Sequence, residues 1–134
     1  MNESDIPLPL CKSACRRLIR KILRDLNYKN IKITLIACSK ADMLKMKQIY
    51  FSEIVDTDVI TFTLQETNPL EGEIYHGPEQ ICENAKEFSQ SFEREFARII
   101  IHGCCHLAGY NDETAEEKKI MTALENKFLG KYFD

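Results

Sequence analysis

"HGCCHLAGYND", residues 102–112, is the stretch on which the reading of this chain turns. The 134 residues contain three histidines, and two of them, His102 and His106, stand four apart. They close a segment, residues 91–108, in which Phe92, Phe96, Ile99 and Ile100 recur at helical spacing. On a helix, positions i and i+4 point the same way, so both imidazoles reach one ion from one rigid face. Gly109 predicts a helix stop and lets the chain double back. Asp112 then arrives where a third ligand is wanted. The spacing H-x3-H-x2-G-x2-D reads as three protein ligands for one divalent ion, Zn2+ first, with a fourth position left to water. Zinc lowers the pKa of such a water to about 7 and makes hydroxide available. Cys105, at i+3 from His102, is a minor alternative ligand. Zinc peptidases of related spacing carry a glutamate base directly after the first histidine. Here that position is Gly103, which disfavours a peptidase.

Outward from the motif, the chain alternates helical and strand signals. Leu10, Ala14, Leu18, Ile22 and Leu26 predict an amphipathic helix over 8–26, broken by "NYKN". "IKITLIA" predicts a strand over 31–37, and residues 40–51 a helix. "TDVITFTL" (57–64) is apolar on both sides, which predicts a central strand. "QETNPLEG" reads as a loop, "EIYHG" as a short strand, and 79–88 as a helix. Thr114 and Glu117 form a capping box for a last helix that runs to Leu129, with Gly130 just beyond. The order predicts an α+β domain spanning 1–134: a small mixed sheet packed against about five helices, with the metal site on a helix and its following turn. His76, at a strand end, reads as a surface or hydrogen-bonded residue, with proton transfer at the site as the sharper alternative.

Composition bounds the function. The length suits one domain with a real core. The apolar runs are too short to span a bilayer, and "MNESDIPLPL" lacks the basic and apolar regions of a signal peptide, which places the chain in the cytoplasm. Six cysteines without a secretory signal read as reduced thiols, mostly small buried hydrophobes. The net charge is −3, yet residues 10–32 hold eight Lys/Arg against one acid. Lys12, Arg16, Arg20 and Arg24 fall at successive i, i+4 positions. The bland reading is a solvated face; the functional one gives Arg16, Arg20 and Arg24 to phosphate backbones.

Together these residues resemble the YbeY family of bacterial ribosomal-RNA maturation factors, whose signature reads H-G-x-L-H-L-x-G-Y-D-H. His102, Gly103, His106, Leu107, Gly109 and Tyr110 match it. "DTDVITF" (56–62) is similar to the family's P-T-D-V-L-S-F, "LEGEI" (70–74) to its L-G-D-I, and "EEKKIMTALENKFL" to its closing helix. The resemblance covers roughly residues 30–130. It implies a small sheet flanked by helices and a metal-dependent, single-strand-specific endoribonuclease of late small-subunit rRNA maturation. RNA and the ribosomal subunit are the implied partners. His102, His106 and Asp112 are the implied metal-holding and catalytic residues. The chain departs from the pattern at Asp112, where the family has its third histidine, and at Asn111, where it has aspartate. Phe51 follows Tyr50 where the family carries an arginine held to contact RNA phosphate. The alternatives are a non-catalytic metal-binding assembly factor and, behind it, a zinc peptidase.

Overall fold

The computed structural model describes residues 6–54 and 57–134. The "DTDVITF" match therefore begins outside the described residues, as do the first five residues of the stretch read against a signal peptide. Helix α1 (Lys12–Asp25) buries Cys15, Leu18, Ile19, Ile22 and Leu23, an i, i+3, i+4, i+7, i+8 stripe. Lys12, Arg16, Arg20 and Arg24 are exposed. The helix starts at Lys12, not at residue 8. Pro7 and Pro9 favour extended backbone before them, and Leu8 and Leu10 pack on the core from outside the helix. It stops where Asn27 turns left-handed, at φ 73°.

Next come strand β1 (Ile31–Ala37), helix α2 (Lys40–Phe51), and strands β2 (Val59–Gln65) and β3 (Leu70–His76). The Ser39 hydroxyl caps α2, accepting from the Asp42 N–H at 3.2 Å. The sheet order is β1-β3-β2, with β1 parallel and β2 antiparallel to β3. The sheet is small and mixed as expected, but β3 is the central strand and β2 an edge. β3 also starts three residues earlier than "EIYHG" suggested. Leu70 pairs with Ile31, and Gly72 pairs with Ile33 and Thr63. Gly72 is not a turn residue: a Cβ there would lie 2.6 Å from Leu107 Cδ2, so its bareness admits a helix onto the sheet.

Helices α3 (Pro78–Glu87), α4 (Phe92–Leu107) and α5 (Ala115–Tyr132) complete the α+β architecture of five helices and three strands. Alternate residues of β3 enter two clusters. Leu70 and Ile74 join the main core with α1, α4 and α5, while Tyr75 joins Met43 and Ile60 beneath α2. Full burial of a side chain such as Phe96 or Ile74 contributes about 1.5–3 kcal/mol. The Thr114–Glu117 capping box is present in both directions. Gly130 does not end α5, which continues to Tyr132; nothing crowds that position, and a helical glycine there costs only about 1 kcal/mol. No helix among the described residues is long and apolar enough to cross a membrane.

Two features of this core make predictions. A Cβ on Gly103 would sit 3.1–3.4 Å from three carbons of Ile74. Gly103→Val is expected to overpack the α4–β3 contact and lower stability by about 1–3 kcal/mol in urea unfolding. An unchanged urea midpoint would contradict the contact. His76 is 1 % exposed and packs edge-on to Phe96, with ring centroids 5.0 Å apart. Burial lowers its pKa from 6.5 to about 4, so the folded ring stays neutral where the unfolded one charges. Its contribution is fully present above pH 6.5 and fades as pH falls toward 4, by about 2 kcal/mol at pH 5. His76→Asn is expected to flatten the pH dependence of the urea midpoint between pH 7 and 5; an unaltered slope would remove this account.

Candidate metal centre

Helix α4 forms because Ser91 caps it, accepting from the Arg94 N–H at 3.1 Å, and because its apolar stripe lies on the sheet. Its exit is a Schellman turn. The Gly109 N–H donates to the His106 carbonyl and the Tyr110 N–H to the Cys105 carbonyl, each at 3.0 Å, with Gly109 at φ +99°. That reversal carries Asp112 back over the last turn of α4. The Nε2 atoms of His102 and His106 are 3.0 Å apart. Asp112 Oδ2 lies 3.3 Å from the first and 3.5 Å from the second. All three side chains are half-buried, and their donor atoms lie within 4.8 Å of one another. The sequence-derived trio is thus brought together.

Behind the trio stands a pair that sequence reasoning missed. Glu125 of α5 accepts from His102 Nδ1–H at 2.7 Å and from Arg98 Nη1 at 2.8 Å. Arg98 also donates to Asn126 Oδ1 at 3.1 Å. A carboxylate accepts only, so the proton sits on His102 Nδ1 and leaves the Nε2 lone pair facing His106 and Asp112. Burial pushes the Glu125 carboxyl up, but the hydrogen bonds from His102 and Arg98 outweigh it and hold it below the ordinary range. Burial likewise opposes charge on His102, and the Glu125 hydrogen bond and charge reverse that, raising its pKa. Burial and the neighbouring His102 lower that of His106. Asp58, just before β2, is a further carboxylate in this field. Burial raises its pKa against the pull of His102, and Asn84 Nδ2 donates to it at 3.2 Å.

This donor set fits a divalent cation. Two imidazole nitrogens and a carboxylate oxygen converge as lone pairs, and a second carboxylate fixes the tautomer of the first imidazole. Cys105 does not take part. Its side chain is fully buried, and among the described residues the side chains close enough together to share a cation are His102, His106 and Asp112 without it. Among the described residues all six cysteines are free thiols, four of them buried. His76 is buried among apolar residues and is not part of the trio. Arg16 and Arg20 line a separate cleft beside β1, to which none of the three donors contributes, and Arg24 is exposed beside Asp25. Phe51, at the position of the family arginine, stacks on Phe62 with centroids 6.3 Å apart, and Lys47 Nζ lies 4.6 Å from its ring. The signal for Glu125 was present in the closing-helix likeness, but a partner 23 residues from His102 has no periodic relation to it.

A family model described as Endoribonuclease YbeY matches residues 2–133. Among curated relatives named Endoribonuclease YbeY, one from Phocaeicola vulgatus is 38% identical over 98 residues, 73% of this chain and 71% of that protein. One from Azobacteroides pseudotrichonymphae is 33% identical over 115 residues, covering 86% and 83%. One from Thermotoga petrophila is 35% identical over 119 residues, covering 88% and 75%. The solution structure of TM1509 from Thermotoga maritima superposes with a TM-score of 0.61 at 27% identity, covering 98% of this chain and 91% of that one.

Proposed function

This chain belongs to the YbeY family of endoribonucleases, and from that premise we propose that it cleaves single-stranded RNA in late small-subunit rRNA maturation, with His102, His106 and Asp112 holding one divalent cation, Zn2+ by ligand type. The observation that carries this reading is the meeting of His102 Nε2, His106 Nε2 and Asp112 Oδ2, with Glu125 fixing the His102 tautomer. When bound, the cation supplies Lewis acidity to a phosphate oxygen and lowers the pKa of a bound water or hydroxyl. The chain's own part is positional. α4 aims both imidazoles from one face, and Glu125 keeps the His102 Nε2 lone pair outward. Asp112 adds a negative charge that offsets the ion's own. Asp112 in place of the family histidine makes the site harder and broadens its choice of metal. Gly103 offers no carboxylate where a zinc peptidase has its base, which weighs against peptide hydrolysis.

The experiment is incubation of metal-replete protein with labelled single-stranded RNA and with casein, with and without chelator. The expected outcome is RNA cleavage abolished by chelator, with casein intact. Inert RNA would leave the assembly-factor reading standing, and casein cleavage the peptidase. Product ends identify the nucleophile: a 2′,3′-cyclic phosphate marks attack by the RNA's own 2′-hydroxyl, while a product with neither a cyclic phosphate nor a 2′-phosphate favours attack by water.

A further inference from the structure

The end of α2 and the middle of β2 share an aromatic cluster on the sheet face away from α4. Gly72 and Ile74 of β3, which lie against Leu107 and Gly103 of α4, pair with Thr63 and Thr61 of β2. Phe62 pairs with Glu73 and so points to the other face. There Tyr50 meets the Phe62 ring at 70°, with centroids 5.3 Å apart, and Phe51 lies closer to parallel, at 24° and 6.3 Å. Tyr75 braces Phe62 from β3, at 5.8 Å. Phe62 and Tyr75 are half-buried and pack on the Met43 cluster, whereas Tyr50 is 63% exposed and Phe51 43%. Lys47, one helical turn before Phe51, holds its Nζ 4.6 Å from that ring. Rings fixed from behind lose little freedom when a flat ligand stacks on them. β2 links the cluster to the metal centre. Asp58, directly before the strand, lies in the field of His102, and Phe62 follows four residues later, about 13 Å along.

We propose that Tyr50 and Phe51 form a stacking platform for unpaired bases of the RNA strand, with Lys47 taking an adjoining phosphate. The inference rests on the nuclease reading above and adds residues that hold the substrate at a distance from the three donors. Every base has a flat π face, so aromatic steps hold a single strand without selecting its sequence. A duplex keeps those faces in its own stack, so the platform favours unpaired RNA. Lys47 carries its charge on a flexible stem; turned to a phosphate, its ammonium leaves the Phe51 ring to a base. Glu73, opposite Phe62 in the register, repels phosphate from the β3 side and sets the backbone on the Lys47 side. A protein partner satisfies this surface less well. An apolar protein face would strip water from the Lys47 ammonium and return no charge, whereas a nucleotide brings a flat ring and a phosphate together.

The test uses the full chain and a short fluorescein-labelled oligoadenylate, read by anisotropy under chelator so that no cleavage intervenes. Saturable binding is expected, weakened roughly tenfold or more by Tyr50→Ala with Phe51→Ala. An abasic oligomer of equal length keeps the phosphates and is expected to bind weaker by a similar factor. Lys47→Gln is expected to lessen the slope of log K against log salt by about 0.7, the share of one phosphate on a single strand. The chain has no tryptophan, so Phe51→Trp places a single reporter in the platform. That variant is expected to keep its affinity, and its emission to be quenched by the oligoadenylate and not by the abasic oligomer. Absence of saturable binding, full affinity in the double alanine variant, equal affinity for the abasic oligomer, or unquenched emission at saturation overturns the proposal. Sedimentation showing a dimer that the double alanine variant dissolves also overturns it and assigns the rings to a second copy. Binding is read apart from cleavage, so the two readings fail separately. A chain that binds through the rings yet cuts nothing when metal-replete sinks the nuclease alone; one that cuts RNA at an unchanged KM without the rings sinks the platform alone.

Discussion

His102→Ala is expected to remove chelator-sensitive RNA cleavage by a factor on the order of 10³ while leaving the fold in place, because several kcal/mol of electrostatic stabilisation depart with the ion. The separation of activity from folding has a structural reason. Glu125 keeps its ion pair with Arg98 when the imidazole is gone, so no buried charge is orphaned. Metal content, measured on the isolated variant, should fall with activity. His106→Ala should behave alike, since His106 supplies the second nitrogen from the same helix face. Asp112→Ala is expected to lower metal content less steeply, because its side chain is 38% exposed and reaches the imidazoles from a turn, not a packed helix. Asp112→His should hold metal and shift preference toward softer ions. An Asp112→Ala protein that kept its full metal content would remove Asp112 from the ligand set, and a His102→Ala protein that still cut RNA would remove the site from the chemistry.

What sequence could reveal here follows the reach of local physics. The trio was legible because two of its side chains lie on one helix face and the third follows a glycine whose positive φ the turn requires. The capping box at Thr114 and the stripe of α1 are likewise relations within a few residues. The sheet was harder. Val59–Gln65 looks more apolar than Leu70–His76, yet the second is central. Centrality depends on which strands flank it, and Phe62 owes its apolar character to the aromatic patch beside α2, not to two neighbouring strands. Gly72 and Gly130 both read as chain breaks; one is a bare strand position under Leu107, the other a tolerated helical glycine, and only packing distinguishes them. Cys105 shows the same limit: its spacing permits a ligand, but the described fold groups His102, His106 and Asp112 without it. Neither Glu125 nor Arg98 could be tied to the site by spacing, because α4 and α5 meet only in three dimensions.

That meeting yields the second large effect. Glu125→Gln is expected to weaken metal affinity by about 10- to 100-fold, the usual consequence of losing the carboxylate behind a ligating histidine. The volume is kept, but the negative charge that holds the proton on His102 Nδ1 is lost, and an amide can present N–H there as readily as oxygen. The imidazole is then free to place its proton on Nε2, where it competes with the ion. The same substitution removes half of the Arg98 pair, so a purely structural effect has to be set apart. Arg98→Met does that: it breaks the pair from the other side and leaves the Glu125–His102 hydrogen bond of 2.7 Å intact. If the carboxylate acts on the metal through His102, Arg98→Met lowers the urea midpoint while metal affinity stays near that of the unaltered protein, and Glu125→Gln lowers both. Equal losses of affinity in the two variants would mean that Glu125 serves only to hold α4 against α5, and the His102 tautomer would then be set by something other than this carboxylate.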